Sequence, residues 1–203
     1  MVSMIDADVG KMLEKIRQLE LDSNTIIFFT SDNGPCDSRL HDPEFFNSSG
    51  IYTGVKRDMY EGGIRIPMIV RWPGKISPGS VSDDVWAFWD FLPTAADIAG
   101  VPFENAIDGI SVLPAILGQQ QKLHDYLYWD YGHVRDEFIQ AARWDDWKGI
   151  KYNATGKYEL FNLNNDPGEK NNLASERPDL VQHFEEILIE AYVPSKDYQR
   201  DNK

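Results

Sequence analysis

The stretch Thr25-Ile-Ile-Phe-Phe-Thr-Ser-Asp-Asn-Gly34 constrains this chain more than any other. A run of β-branched and aromatic residues has strand chemistry, and it ends abruptly in Asp32, Asn33 and Gly34. That pattern predicts a buried strand that delivers two oxygen donors at the carboxyl end of a sheet, where open α/β sheets place their sites. Beyond it, Gly54-Val-Lys56 sets a lysine in a glycine-bearing loop, and Gly62-Gly63 stands between Glu61 and Arg65. A carboxylate and an amide carbonyl suit a hard cation such as Ca²⁺ or Mg²⁺ better than zinc. A nearby ammonium suits a tetrahedral oxyanion ester. Each piece also has a plain alternative. Asp-Asn-Gly is a common turn, a loop lysine is commonly solvated, and Glu61 with Arg65 reads as an ion pair bracing a tight turn.

The elements around this core alternate in type. Ile5, Val9, Met12, Leu13, Ile16 and Leu19 recur at helical spacing and predict an amphipathic helix over 3–20, followed by the strand at 25–30. Residues 34–60 are polar and aperiodic, a length of connection that is usually functional or disordered. Ile66 to Arg71 reads as a second strand with Pro67 at its entry. Asp90 to Ala99 reads as a helix stopped by Gly100, and a short helix is expected over 112–117. Gln119-Gln-Gln-Lys122 has the composition of a linker.

After that point the texture changes. Aromatic-rich runs at 126–131, 138–144, 147–152 and 158–163 predict an antiparallel meander. Asn164-Asn-Asp-Pro-Gly168 marks a turn, and a helix beginning near Pro178 places Leu180, Val181, Phe184, Ile187 and Leu188 on one face. The expected architecture is α/β over 1–118, followed by a small α+β subdomain over 119–203 with an antiparallel sheet and a covering helix.

Composition narrows the partners. With 203 residues and 42% hydrophobic content, the chain can bury a sizeable core. A net charge of −13 argues against general binding to nucleic acid or anionic membranes. No run approaches the ~20 apolar residues of a membrane span. The single cysteine, Cys36, excludes an internal disulfide framework.

The motifs, taken in order, resemble the sulfatase family of the alkaline-phosphatase-like superfamily. Thr30-Ser-Asp-Asn-Gly34 is similar to that family's second metal-ligand motif. Gly54-Val-Lys56 through Glu61-Gly-Gly-Ile-Arg-Ile-Pro67 resembles its sulfate-contacting lysine and the turn after it. Met4 to Gly10 resembles the helix before the metal-binding strand. Asp90-Phe-Leu-Pro-Thr94 with Ala99-Gly-Val-Pro102 resembles a further helix and its Gly-Val-Pro turn. Tyr158-Glu-Leu-Phe-Asn-Leu to Leu173 is similar to the tail signature of the C-terminal subdomain. The resemblance implies the C-terminal part of an alkaline-phosphatase-like sheet domain with its small α+β subdomain. It also implies hydrolysis of sulfate esters, with Asp32 and Asn33 as metal ligands and Lys56 as a catalytic contact to sulfate.

The family nucleophile, a formylglycine made within a Cys-x-Pro-x-Arg type motif, has no counterpart here. Cys36-Asp-Ser-Arg39 lacks the proline, carries its arginine one place too close, and follows the metal motif instead of preceding it. The family's paired aspartates are missing as well. The chain is therefore expected to be a C-terminal portion that depends on an absent half for its nucleophile and its full Ca²⁺ (or Mg²⁺) shell.

His41, in the polar loop, is a candidate contact to substrate, and a carbohydrate sulfate is the favoured substrate class. Family resemblance also points to an exported protein, and exposed sheet surface to a homo-oligomer. Two other readings remain open. A phosphoester hydrolase of the same superfamily would bring histidines to a zinc pair, whereas His41, His124, His133 and His183 are scattered. A non-catalytic protein that binds sulfated glycans would keep the same residues without turnover.

Overall fold

The structure is a computed structural model that describes residues 2–38, 41–103, 106–132 and 138–195. His133 and Arg39 lie outside the described residues. In chain order the first elements are α1 (Val2–Gln18), β1 (Ile27–Thr30), α2 (Glu61–Ile64), β2 (Met68–Arg71), α3 (Phe91–Ile98) and α4 (Leu113–Ile116). There follow β3 (Leu127–Tyr131), β4 (Ile139–Trp144), β5 (Trp147–Tyr152), β6 (Lys157–Asn162) and α5 (Pro178–Ala191). Two compact units result, one from residues 1–30 with 67–124 and the other from 31–66 with 125–203.

In the first unit β1 pairs antiparallel with β2, with Phe29 opposite Ile69 and Thr30 opposite Met68. The expectation of a fully buried strand is not met: Phe29 is 41% and Ile69 62% exposed. Among the described residues β2 is the only strand paired with β1, so the apolar run has neighbours on one edge alone. The stripe on α1 forms at the expected helical spacing, yet none of its residues is buried. Arg71 and Asp22 close the strand ends with an ion pair at 2.8 Å.

The start of α3 is organised by Asp90, which is fully buried. Its carboxylate accepts the Ala87 and Ile110 amides at 2.8 and 2.9 Å and contacts His124 Nε2 at 2.9 and 3.0 Å. Thr94 donates its hydroxyl to the Asp90 carbonyl and accepts the Val112 amide. A buried carboxylate with this many partners escapes the penalty of an orphaned charge. Gln121, in the stretch with linker composition, is tied back to the region of α4 through the Ser111 carbonyl and the Ala115 amide. No helix among the described residues is long and apolar enough to cross a membrane.

The second unit holds the meander β3-β4-β5-β6, antiparallel throughout. Strand alternation divides it into two faces. On one face Ala142 and Leu160 pack beneath Leu180, Phe184, Ile187 and Leu188 of α5. Gly149 leaves room for this helix, because a Cβ there would lie 2.8 Å from Phe184 Cγ. On the opposite face Ala141, Ile150, Phe161 and Leu163 pack with Met59 and Tyr60. The long 31–66 segment is therefore seated on the sheet. Burying each such large apolar side chain contributes about 1.5–3 kcal/mol, which anchors a segment with little regular structure of its own.

Candidate active site

The 31–66 segment is built on bare backbone. The Gly34 amide donates to the Gly63 carbonyl at 2.9 Å, and a Cβ on Gly34 would sit 1.8 Å from the Gly62 oxygen. The Gly62 amide donates to the Thr53 carbonyl at 2.7 Å, and a Cβ on Gly62 would fall 2.3 Å from the Gly54 oxygen. Gly63 presses on Asp58 and Val55 in the same way. The double glycine is there because α2 lies in backbone contact with two limbs at once: the Asp32-Asn33-Gly34 limb and the 53–58 limb that carries Lys56. The Lys56 amide joins the limbs again, donating to the Pro35 carbonyl at 2.8 Å.

Lys56 is half-buried within a tight turn closed by the Asp58 amide on the Val55 carbonyl, 2.9 Å. Asp58 Oδ2 accepts the Val55 amide in return. Arg57, next in this turn, has φ 88°, a left-handed value normally left to glycine. Non-glycine residues held in such strain concentrate at functional sites. Asn33 donates its side-chain amide to the Gly34 carbonyl at 2.8 Å, which leaves Oδ1 as its available donor to a metal, and Asp32 is exposed beside it. A carboxylate and an amide oxygen are thus the groups that could serve as hard oxygen ligands on this limb. Among the described residues no group of three or more His, Cys, Asp or Glu side chains is placed to hold a metal ion.

His41 is engaged within its own loop. Its ring stacks on Phe46 with centroids 5.2 Å apart, and Nε2 lies 3.1 Å from Ser48 Oγ. Cys36 is exposed.

Glu61 and Arg65 approach to 3.7 Å, with Arg65 also over the Tyr52 ring. Glu61 has a second and closer partner that the sequence reading missed: Lys148 of β5, fully buried, donates to its Oε1 at 3.0 Å. Lys148 Nζ also lies 3.0 Å from Glu169 Oε1, though without hydrogen-bond alignment. Glu169 Oε2 accepts the Glu61 backbone amide at 2.6 Å. Burial pushes the Glu169 carboxyl up, against the opposing pull of Lys148 and of the Glu61 amide. The neighbouring Gly168 carbonyl accepts the Thr53 hydroxyl at 2.5 Å, and Lys170 donates to the same hydroxyl at 2.7 Å. A cue existed in the sequence: acids flanking glycines at 61 and 169 need a buried cation if they pack together.

A second polar group lies on the same sheet face. Tyr60 donates to Glu159 at 2.5 Å, and Lys157 donates to the other Glu159 oxygen at 2.6 Å. Burial first, and the Glu159 carboxylate next, hold the Tyr60 hydroxyl well above its usual titration range.

Residues 50–192 match the family described as N-sulphoglucosamine sulphohydrolase, C-terminal. The mouse steryl-sulfatase is 30% identical over 210 residues, covering 86% of this chain and 33% of that protein. The N-acetylgalactosamine-6-O-sulfatase of Bacteroides thetaiotaomicron is 30% identical over 212 residues, covering 92% of this chain and 40% of that protein. A solved structure of a protein in complex with its substrate D-glucosamine-2-N,6-O-disulfate superposes with a TM-score of 0.76 at 27% identity. It covers 100% of this chain and 40% of its own. The chain thus spans about a third of the length of the curated relatives it matches. On the family match over the larger part of its length, this chain belongs to the sulfatases, as a C-terminal portion of that family.

Proposed function

We propose that the chain is the C-terminal part of an enzyme that hydrolyses carbohydrate sulfate esters. The carrying observation is the backbone junction at α2, which holds the Asp32–Asn33 limb and the Lys56 turn against one short glycine-bearing helix. Asp32 and Asn33 supply two oxygen ligands to a divalent cation, Ca²⁺ or Mg²⁺, whose chemistry when bound is to neutralise sulfate oxygens. Lys56 adds a fixed positive charge where negative charge develops on the transferring group. The nucleophile and the remaining metal ligands come from outside these 203 residues, so the chain alone carries no turnover.

The preference for carbohydrate sulfates draws on the relatives named for N-acetylgalactosamine 6-sulfate chemistry and on the glucosamine disulfate complex. The deciding experiment measures sulfate released from N-acetylgalactosamine 6-sulfate by the full-length parent. Lys56→Ala should lower kcat by about 10²–10³-fold, and Asp32→Ala should abolish turnover. Near-normal activity in Asp32→Ala would defeat the metal assignment. A parent that cleaved only steryl or aryl sulfates would defeat the substrate class.

A further inference from the structure

Glu169 has φ 54°, in the left-handed region, while Gly168 beside it does not use that region. A turn with no other duty would place its glycine at the strained position. Here the backbone is bent to deliver a carboxylate. One oxygen of that carboxylate accepts the first amide of α2, that of Glu61, at 2.6 Å. The other faces the buried Lys148 ammonium at 3.0 Å. The same turn takes a second grip, on Thr53, through the Gly168 carbonyl and the Lys170 ammonium. Residues 168–170 thus hold α2 and the start of the Lys56 limb together, while the backbone of α2 carries the Gly34 limb on the Gly63 carbonyl.

A plain stabilising role accounts poorly for this choice of residues. Met59, Ile150 and Phe161 pack on the same sheet face, so apolar side chains are accommodated beside this cluster. Buried ion pairs are commonly no more stabilising than hydrophobic residues of the same volume. What a buried pair adds is a defined geometry: the carboxylate must point at one amide and one ammonium, whereas an apolar contact slides.

We propose that Glu169, with Lys148 as its counter-charge, is a positioning residue. It locks α2 between the two limbs and so sets the spacing of Asp32 and Asn33 relative to Lys56, without itself touching substrate. This rests on the reading of those limbs as functional.

The test is amide hydrogen exchange, read by NMR on the 203-residue chain. Glu169→Gly removes the carboxylate while relieving the backbone strain, so the turn itself is retained. The Gly34 and Gly62 amides should exchange about tenfold faster, with ladder amides of β4 and β5 changing less than about threefold. Thr53→Val, which removes the other grip, should loosen the same amides selectively and serves if Glu169→Gly does not fold. A uniform acceleration across the sheet would show a general stabiliser and overturn the proposal, as would unchanged exchange at Gly34 and Gly62. Since the readout is exchange and not turnover, a failure here is distinguishable from a failure of the sulfate-ester reading.

Discussion

Glu169 Oε2 accepts the backbone amide of Glu61 across 108 positions of sequence, at 2.6 Å. Two acids from opposite ends of the unit thus meet around one lysine, and the turn after β6 becomes the support of the glycine helix. The position of the candidate site is decided as much by the small C-terminal sheet as by the loop that carries Asp32 and Lys56.

Removing the lysine should be costly. Lys148→Met leaves the Glu61 and Glu169 carboxylates facing each other in a buried space, where Lys148 is 0% exposed. Breaking a buried pair by deleting one partner typically costs about 3–5 kcal/mol. Urea unfolding should register that loss, and a change well under 1 kcal/mol would mean the pair carries little charge.

The pH dependence of the same cluster has a defined sign. Burial raises the folded-state Glu169 value above the ordinary 4.5, so the folded protein holds that proton more tightly than the unfolded chain. Its contribution is present below about 4.5 and is lost as pH rises through the folded value. Glu169→Gln has no carboxyl to titrate at this position. The stability of wild type minus that of Glu169→Gln should fall with rising pH in this window and then level off. A difference that rises with pH would contradict the assigned direction.

Two glycines should respond to alanine with opposite signs. Gly34→Ala drives a Cβ to 1.8 Å from the Gly62 carbonyl, backbone against backbone, and should destabilise by about 3 kcal/mol. Gly10→Ala, in the interior of α1 with nothing within 4 Å, should instead stabilise by about 0.5–1 kcal/mol. Thermal unfolding of both variants is a sufficient check, and equal effects would discard the close-approach argument.

Metal affinity of the chain alone should be weak. As the proposed ligands, Asp32 and Asn33 would supply two donors, while a Ca²⁺ shell needs about six to eight oxygens. Calorimetric titration with calcium chloride should show no site tighter than about 1 mM. A micromolar site would mean that further ligands lie within this chain.

Phe29 and Ile69 are cross-strand partners, 41% and 62% exposed, and α1 presents Ile5 and Met12 to solvent. Exposed apolar surface beside a strand edge promotes association, so two copies of this chain should pair with rising concentration. Light scattering should show the mass increase, and the double substitution Phe29→Lys with Ile69→Lys should suppress it. A monomer at all concentrations would end the idea.

Periodicity and turn chemistry made most of the elements legible in advance. The apolar spacing of Leu180, Phe184, Ile187 and Leu188, the paired aromatic runs of the meander and the Asn-Asp-Pro-Gly turn are local properties. Local backbone preferences and side-chain pattern decide them, and the structure differs from that reading by only a residue or two at their ends. The motif residues Asp32, Asn33, Lys56 and Glu61 stand out by their place after the apolar run and around the glycines, and it is the resemblance to the sulfatases that gives them roles. What surrounds them is not legible in this way. Lys148 lies in a strand among aromatics, with nothing in its neighbours along the chain to mark it for burial; only the arrival of Glu61 and Glu169 from distant segments permits it. Gly34, Gly62 and Gly63 read as flexible turn residues until the fold brings their backbones to a separation that no Cβ would allow. Likewise, the apolar run of β1 predicted burial, but burial depends on which neighbours cover a strand, and β2 is the only one paired with it among the described residues. Sequence determined the elements because their preferences are local; tertiary structure decided charge pairing, close approach and cover because these depend on partners far along the chain.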